Sequence, residues 1–228
     1  MANIRSEAET LALHRSILTA ATALFIKKGF ERTTIADIAK QSGIPKSKIL
    51  YEMKSKEDIL GMLVTEFLDG VTLASDEVST KLTDDRLLIF IANEVLQIYM
   101  AEMNEDMRNL YLAGYSLHKT SEAVLRRRTD MIFEKFGSMF PSFALKDFYE
   151  LEIASMGIMR AYMAVPCDMY FTLEAKTERL VASMLRIYNL DEGTVKKTLE
   201  FIRKIDFEAI AKNAVESVFS ELKIKIEK

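Results

Sequence analysis

Apolar residues recur at helical spacing along almost the whole chain. In the first segment they stand three or four residues apart, and the pattern stops at Gly29, a residue type common just past a helix end. These positions are Leu13, Ile17, Ala20, Ala21, Leu24 and Phe25. The spacing predicts a first helix over residues 6–28.

The same helical pattern continues to the end of the sequence. The further helices are predicted over residues 35–42, from residue 45 onward, and over 56–75, 84–103, 106–117, 121–140, 144–165, 173–188, 194–204 and 207–224. We find no apolar–polar alternation and no Asn-Gly turn of the kind that indicates strands and hairpins. The predicted fold class is therefore all-α.

Two short helices joined by a sharp turn are predicted after the first one. Thr34 with Asp37, and Ser55 with Asp58, have the spacing of capping boxes, so helices should begin near residues 35 and 56. Between them, Gly43 supplies the left-handed residue that a tight turn needs. Pro45, just after the turn, can open a helix because its missing N–H costs nothing there.

The apolar positions of this stretch predict a helix-turn-helix. The inward-facing positions are Ile35, Ile38, Ala39, Ile44, Ile49, Leu50 and Met53. The outward-facing positions of the second of these helices are Lys46, Ser47, Lys48 and Tyr51. Such a face suits insertion of a helix N-terminal end into the DNA major groove. The alternative at this point is an ordinary helical hairpin with solvated lysines.

Charge is distributed unevenly and favours the DNA-binding interpretation. The net charge is −3, yet residues 1–60 hold ten Lys and Arg against seven Asp and Glu. A basic end on an acidic body is a weak indication of a nucleic-acid partner. The longest apolar run, residues 153–166, is interrupted by Arg160 and is shorter than the roughly 20 residues that span a bilayer.

Little else in the composition indicates a particular compartment or metal chemistry. The N-terminus lacks the apolar core of a secretory signal, so we expect a cytoplasmic protein with no membrane partner. A single cysteine cannot form an intramolecular disulfide, and no Cys or His spacing predicts a metal site. We expect no metal and no cofactor.

One segment resembles a known family. The stretch ILTAATALFIKKGFERTTIADIAKQSGIPKSKILYEMKSKEDIL is similar to the N-terminal region of the TetR family of bacterial transcriptional repressors, over about residues 16–62. The resemblance implies a helix-turn-helix DNA-binding domain over residues 1–55. A helical effector-binding and dimerisation domain over residues 56–228 would follow.

The resemblance also implies DNA-contacting residues. Those that look like phosphate contacts are Thr33, Thr34, Tyr51, Lys54 and Lys56, and those that look like base readers are Lys46, Ser47 and Lys48. The two threonines have an alternative role as helix caps. Two positions depart from the family pattern: Leu50 stands where a tyrosine is common, and Glu52 where a histidine is frequent. A carboxylate near DNA would repel phosphate or accept from a cytosine amino group.

The body carries adaptable and aromatic residues but no catalytic arrangement. His14 and His118 lack metal-binding spacing, and the consecutive Arg126, Arg127 and Arg128 fan around a helix, so some should be solvated. Methionine suits irregular binding sites. We therefore predict an effector cavity beneath the fourth helix, although an ordinary core is the alternative for each residue. Its predicted lining is Phe67, Tyr99, Met103, Tyr111, Tyr115, Met156, Met159 and Arg160.

Arg160 is the only charge between residues 153 and 165. We expect it to pair with an internal carboxylate, a neighbouring subunit or an anionic ligand, because an unpaired buried charge is costly. The sequence as a whole predicts a homodimeric repressor, paired through helices 144–165 and 172–188. It would bind a palindromic double-stranded DNA operator and be released by a small apolar or amphipathic effector of unknown identity. The alternative is a DNA-binding protein whose body is a protein-interaction module. An enzyme is a distant third interpretation.

Overall fold

The computed structural model describes the backbone of residues 7–221 and the side chains of residues 8–216. Within that part of the chain the protein is all-α, with eleven α-helices and no strand. The helices are α1 (Glu7–Lys28), α2 (Ile35–Ser42), α3 (Lys46–Met53), α4 (Lys56–Ser79), α5 (Arg86–Glu102), α6 (Glu105–Ser116), α7 (His118–Phe136), α8 (Leu145–Ala164), α9 (Leu173–Ile187), α10 (Glu192–Ile202) and α11 (Phe207–Glu221).

The predicted helices are confirmed, with shifts at several ends. Predicted helix 84–103 begins at Arg86, because the Asp85 carboxylate caps it by accepting from the Leu87 N–H at 3.0 Å. Predicted helix 121–140 begins at His118 and ends at Phe136, where Gly137–Met139 tighten into a 3₁₀ turn. Residues 222–224 of the last predicted helix lie outside the described part of the chain.

Helices α1–α3 form the N-terminal head around a small apolar core. Thr34 caps α2 in the predicted capping box, since its hydroxyl accepts from the Asp37 N–H and the Asp37 carboxylate accepts from the Thr34 N–H. Gly43 then turns the chain with φ of 70°. Ile38 and Ile49 are fully buried where α2 and α3 meet α1. This packing fixes the direction in which α3 presents its outer face.

Helix α4 joins the head to the body. It packs against α1 and α3 in the head and against α5, α6, α7 and α11 in the body. Helix α5 is the most buried element, with Ile91, Leu96 and Ile98 almost fully enclosed, because it packs against α4, α6 and α8–α11. No helix within the described residues is long and apolar enough to cross a membrane.

An ion network is buried at the centre of the body. The Arg128 guanidinium, 6% exposed, donates through Nη1 to Glu94 at 2.7 Å and through Nε to Glu152 at 2.8 Å. The Tyr188 hydroxyl donates to the second Glu152 oxygen at 2.7 Å. Burial raises the pKa of Glu94, although the guanidinium opposes this. The network connects α5, α7 and α8 with the end of α9.

The three consecutive arginines therefore have different environments. Arg126 and Arg127 are exposed and pair with Glu122 and Asp69 respectively, as expected for solvated charges. Arg128 is buried, because its position on α7 faces α5 and α8.

Helices α4 and α6 approach closely at a glycine. A Cβ added to Gly114 would lie 2.9 Å from Val64 Cγ2, and valine has little rotamer freedom in a helix. We expect Gly114→Ala to lower the free energy of unfolding, because overpacking costs about 1–3 kcal/mol and exceeds the helix-propensity gain. Gly157 is the matched control, since a Cβ there meets nothing within 4 Å. Gly157→Ala should raise the free energy of unfolding, measured with urea, by up to about 1 kcal/mol. Equal effects of both substitutions would contradict the close approach.

Candidate DNA-binding surface and effector site

The outer face of α3 is accessible, as the sequence predicts. Lys46 and Ser47 are exposed at its N-terminal end, Lys48 is half-exposed, and Tyr51 is 83% exposed. Pro45 occupies the N-cap position, where its carbonyl accepts from the Lys48 N–H at 2.9 Å. A free helix end carrying cations and a hydroxyl can approach base edges and phosphates.

The two predicted threonine contacts differ in the structure. Thr33 is 1% exposed, and its hydroxyl donates to the Gly29 carbonyl at 2.8 Å and the Leu24 carbonyl at 3.3 Å. Thr33 therefore ties the end of α1 to the next turn, and the predicted phosphate contact is wrong. Thr34 is exposed at the start of α2, where its capping role leaves it accessible.

Asp37 supports the same helix start. The Lys28 ammonium lies 2.6 Å from its carboxylate. This hydrogen bond, with those from the Thr34 hydroxyl and N–H, holds the pKa of Asp37 well below its usual range. The first turn of α2 is therefore held by one ionised carboxylate.

The two predicted lysine contacts after α3 also differ. Lys54 is exposed and adopts φ of 55°, an uncommon value for a residue with a Cβ. Lys56 turns its ammonium inward, where it donates to the carbonyls of Phe30 at 2.7 Å and Glu31 at 3.3 Å. It also lies 4.1 Å from the Phe30 ring centroid. Lys56 thus joins the first turn of α4 to the α1–α2 loop, in place of the predicted phosphate contact.

The side chains of Leu50 and Glu52, the two positions that depart from the family pattern, point in directions that the sequence does not predict. Glu52 is half-buried and its carboxylate lies 3.1 Å from His14 Nε2 on α1, so it turns away from the outer face of α3. Leu50, predicted to face inward, is 37% exposed. The eight-residue helix has a narrow apolar face, which Ile49 and Met53 already occupy.

The residues predicted to line one effector cavity do not meet in one cavity. Phe67 and Tyr111 pack edge to face at 5.7 Å beneath α4, and with Tyr115 they border a cavity of about 10 Å³. That is room for about one water molecule. Tyr115 donates to Gln97 Oε1 at 2.6 Å, and burial raises the pKa of both tyrosines.

Three of the other residues lie apart from this cavity. The Tyr99 ring packs at a tilt against the Phe207 ring of α11, with the ring centroids 5.3 Å apart. Tyr99 points about 100° around α5 from Met100, which contacts Tyr111. Met103 is 40% exposed at the end of α5, and Met159 is fully buried in α8. Methionine and tyrosine recur on several helix faces here, and their composition alone does not indicate which faces meet.

Met156 and Arg160 border a separate, open depression between α7 and α8. Its volume is about 540 Å³, and Tyr115 lies on its wall as well. Arg160 is exposed and has no ion pair within the described part of the chain. The prediction that an internal carboxylate pairs with it is therefore wrong for the described residues, and a neighbouring subunit or an anionic ligand are the alternatives that stay open.

Sequence reasoning missed the Arg128 network. Glu94 is the only charge in residues 87–101, a signal that a buried carboxylate there needs a cation. Glu152 gives no such signal, because Glu150 and Asp147 stand close to it in the sequence. Among the described residues, no three His, Cys, Asp or Glu side chains come together as metal ligands.

Comparison with known proteins gives matches to the head and to the fold. Residues 17–63 match the family described as "Bacterial regulatory proteins, tetR family". A probable HTH-type transcriptional regulator, YttP of Bacillus subtilis (strain 168), is 34% identical over 76 residues. That alignment covers 32% of this chain and 37% of YttP, so the chain spans little more than a third of this relative.

Solved structures resemble the chain over most of its length. RolR (NCGL1110) in complex with the ligand resorcinol superposes with a TM-score of 0.58, at 18% identity, over 85% of this chain and 96% of RolR. SmeT, the repressor of the Stenotrophomonas maltophilia multidrug efflux pump SmeDEF, gives 0.53 at 18% identity, over 78% of this chain and 91% of SmeT. At this identity the likeness shows a shared fold: a helix-turn-helix head on a helical body.

Proposed function

We propose that the chain, whose residues 17–63 match the tetR family of bacterial regulatory proteins, is a regulator of that kind and controls transcription by binding double-stranded DNA through α3. The observation that carries the proposal is the accessible N-terminal end of α3, with Lys46, Ser47 and Lys48 on a rigidly packed head. Lys46, Ser47 and Lys48 would read base edges. Thr34, Tyr51 and Lys54 would contact phosphates and set the register.

The regulator acts as a homodimer on a palindromic operator. One helix-turn-helix reads only a short half-site, and two related by a two-fold axis read half-sites about 34–36 Å apart. Helices α8 and α9 are the proposed dimer contacts.

The action proposed is repression, relieved by a small apolar or amphipathic effector. SmeT is a repressor and RolR binds the ligand resorcinol, and both share this fold. The described interior lends some support to the alternative, a body that binds another protein. The apolar cavity bordered by Phe90 and Tyr188 is about 30 Å³ and the one beneath α4 about 10 Å³, too small for an effector without rearrangement.

Selection from a pool of random DNA duplexes tests the proposal. The purified protein should enrich a palindrome whose half-sites are about one helical turn apart, with affinity that falls steeply as salt rises. Recovery of a single half-site would contradict the dimer. No enriched sequence at any salt concentration would contradict DNA-specific regulation itself.

A further inference from the structure

The depression between α7 and α8 presents a cation without a partner. Arg160 lies on its wall, is exposed, and has neither hydrogen bond nor ion pair within the described residues. The acidic residue on the same wall is Glu122, and its carboxylate is bound by Arg126 at 2.8 Å. Among the described side chains, no carboxylate therefore compensates the charge of Arg160.

The other walls are suited to an apolar or aromatic group. Leu125, Ile153 and Met156 line the depression beside the ring of Tyr149. Gly157 forms part of the lining. A Cβ atom added to it would have no neighbouring atom within 4 Å. The volume of about 540 Å³ lies in the range of small-molecule sites, about 300–1,000 Å³.

We propose that this depression binds a small amphipathic anion, a carboxylate or sulfonate on an apolar or aromatic body, with Arg160 as the anionic anchor. A guanidinium carries only donors and matches the two oxygens of such a group in a bidentate arrangement. Taking this molecule as the effector rests on the proposed function. Its binding to the depression does not.

The structure offers a short route from the depression to the DNA-binding head. Tyr115, at the end of α6, borders both the depression and the cavity beneath α4. The preceding residue, Gly114, meets Val64 of α4 at the close approach described above. A ligand that displaces the end of α6 therefore displaces α4, and α4 carries the head.

Two fluorescent probes with the same aromatic framework test the site. 8-Anilino-1-naphthalenesulfonate carries a sulfonate, and N-phenyl-1-naphthylamine carries no charge. The sulfonate probe should bind the wild-type protein saturably. Arg160→Gln should weaken the binding of the sulfonate probe about tenfold, the loss expected for one charge-assisted hydrogen bond. It should change the affinity for the neutral probe by no more than about twofold. Arg86→Gln, which removes an exposed arginine from the first turn of α5, is the matched control and should change neither affinity.

A second variant tests the location without removing charge. Gly157→Leu fills the depression where the structure leaves room and favours the helix, so the fold is retained. Both probes should lose binding to this variant, with the far-ultraviolet circular dichroism unchanged. Retained binding of both probes would overturn the assignment of the site.

Two further results would also overturn the proposal. One is unchanged affinity for the sulfonate probe in Arg160→Gln. The other is light scattering that shows Arg160→Gln to be monomeric while the wild type is a dimer, with probe binding unaltered, which would assign the depression to a subunit interface. The sulfonate probe should lower the affinity of the wild-type protein for any DNA that it selects. It should leave the affinity of Arg160→Gln for the same DNA unchanged. If no DNA is selected, the proposed function fails while the probe measurements still decide the site.

Discussion

Replacing Arg128 by alanine is expected to lower the free energy of unfolding by about 3–5 kcal/mol, because it leaves two buried carboxylates without a counter-ion. Glu152 is fully buried and Glu94 is 2% exposed, so neither carboxylate is hydrated by bulk solvent in the folded protein. Tyr188 would keep one hydrogen bond to Glu152 but supplies no charge. Urea unfolding followed by circular dichroism measures the loss.

The neighbouring arginine provides a control of identical chemistry. Arg127 pairs with Asp69 at the surface, and exposed ion pairs are worth about 0–1 kcal/mol. Arg127→Ala should therefore change stability by less than about 1 kcal/mol. If the two alanine variants unfold at the same urea concentration, Arg128 is not buried as the structure describes.

The second large effect is expected at the DNA-binding surface. Lys48→Ala should weaken binding to a selected sequence by about 1–3 kcal/mol and relax the preference at one base pair, because we propose that Lys48 reads a base edge. Lys54→Ala should instead weaken all sequences alike and reduce the slope of log K against log salt by about 1, as the loss of a phosphate contact does. Fluorescence anisotropy over a salt series separates the two results.

A lysine remote from the head provides the reference for this comparison. Lys135 is exposed on α7 in the body, and Lys135→Ala should leave both affinity and salt slope unchanged. Uniform weakening by Lys48→Ala across all sequences would show that Lys48 contacts the backbone and does not read a base.

The helices and the helix-turn-helix could be predicted because their causes are local. Apolar spacing, the Thr34 and Ser55 caps and the left-handed Gly43 act within a few residues of one another. The ends were less accurate, since Gly137 closes α7 through a 3₁₀ turn that the pattern does not distinguish from helix. The outward position of Lys46 follows from the same local spacing.

Side-chain directions that depend on distant partners could not be predicted. Thr33 and Lys56 satisfy backbone carbonyls of the α1–α2 region, and Glu52 meets His14 on α1. Arg128 differs from its neighbour Arg127 only in facing α5 and α8. Sequence spacing gives the face of a helix on which a residue lies. It does not give the helix that covers that face.

The inward turn of Lys56 has a mechanical consequence. Because its ammonium fastens the α1–α2 loop to the first turn of α4, the head and this helix end move together. The 24 residues of α4 make a rod about 36 Å long, at 1.5 Å per residue. A tilt of about 5° about its far end would displace the head by about 3 Å, close to the rise of about 3.4 Å along the DNA axis from one phosphate to the next on a strand. In a dimer, two such levers would move the recognition helices out of register by about one base pair each.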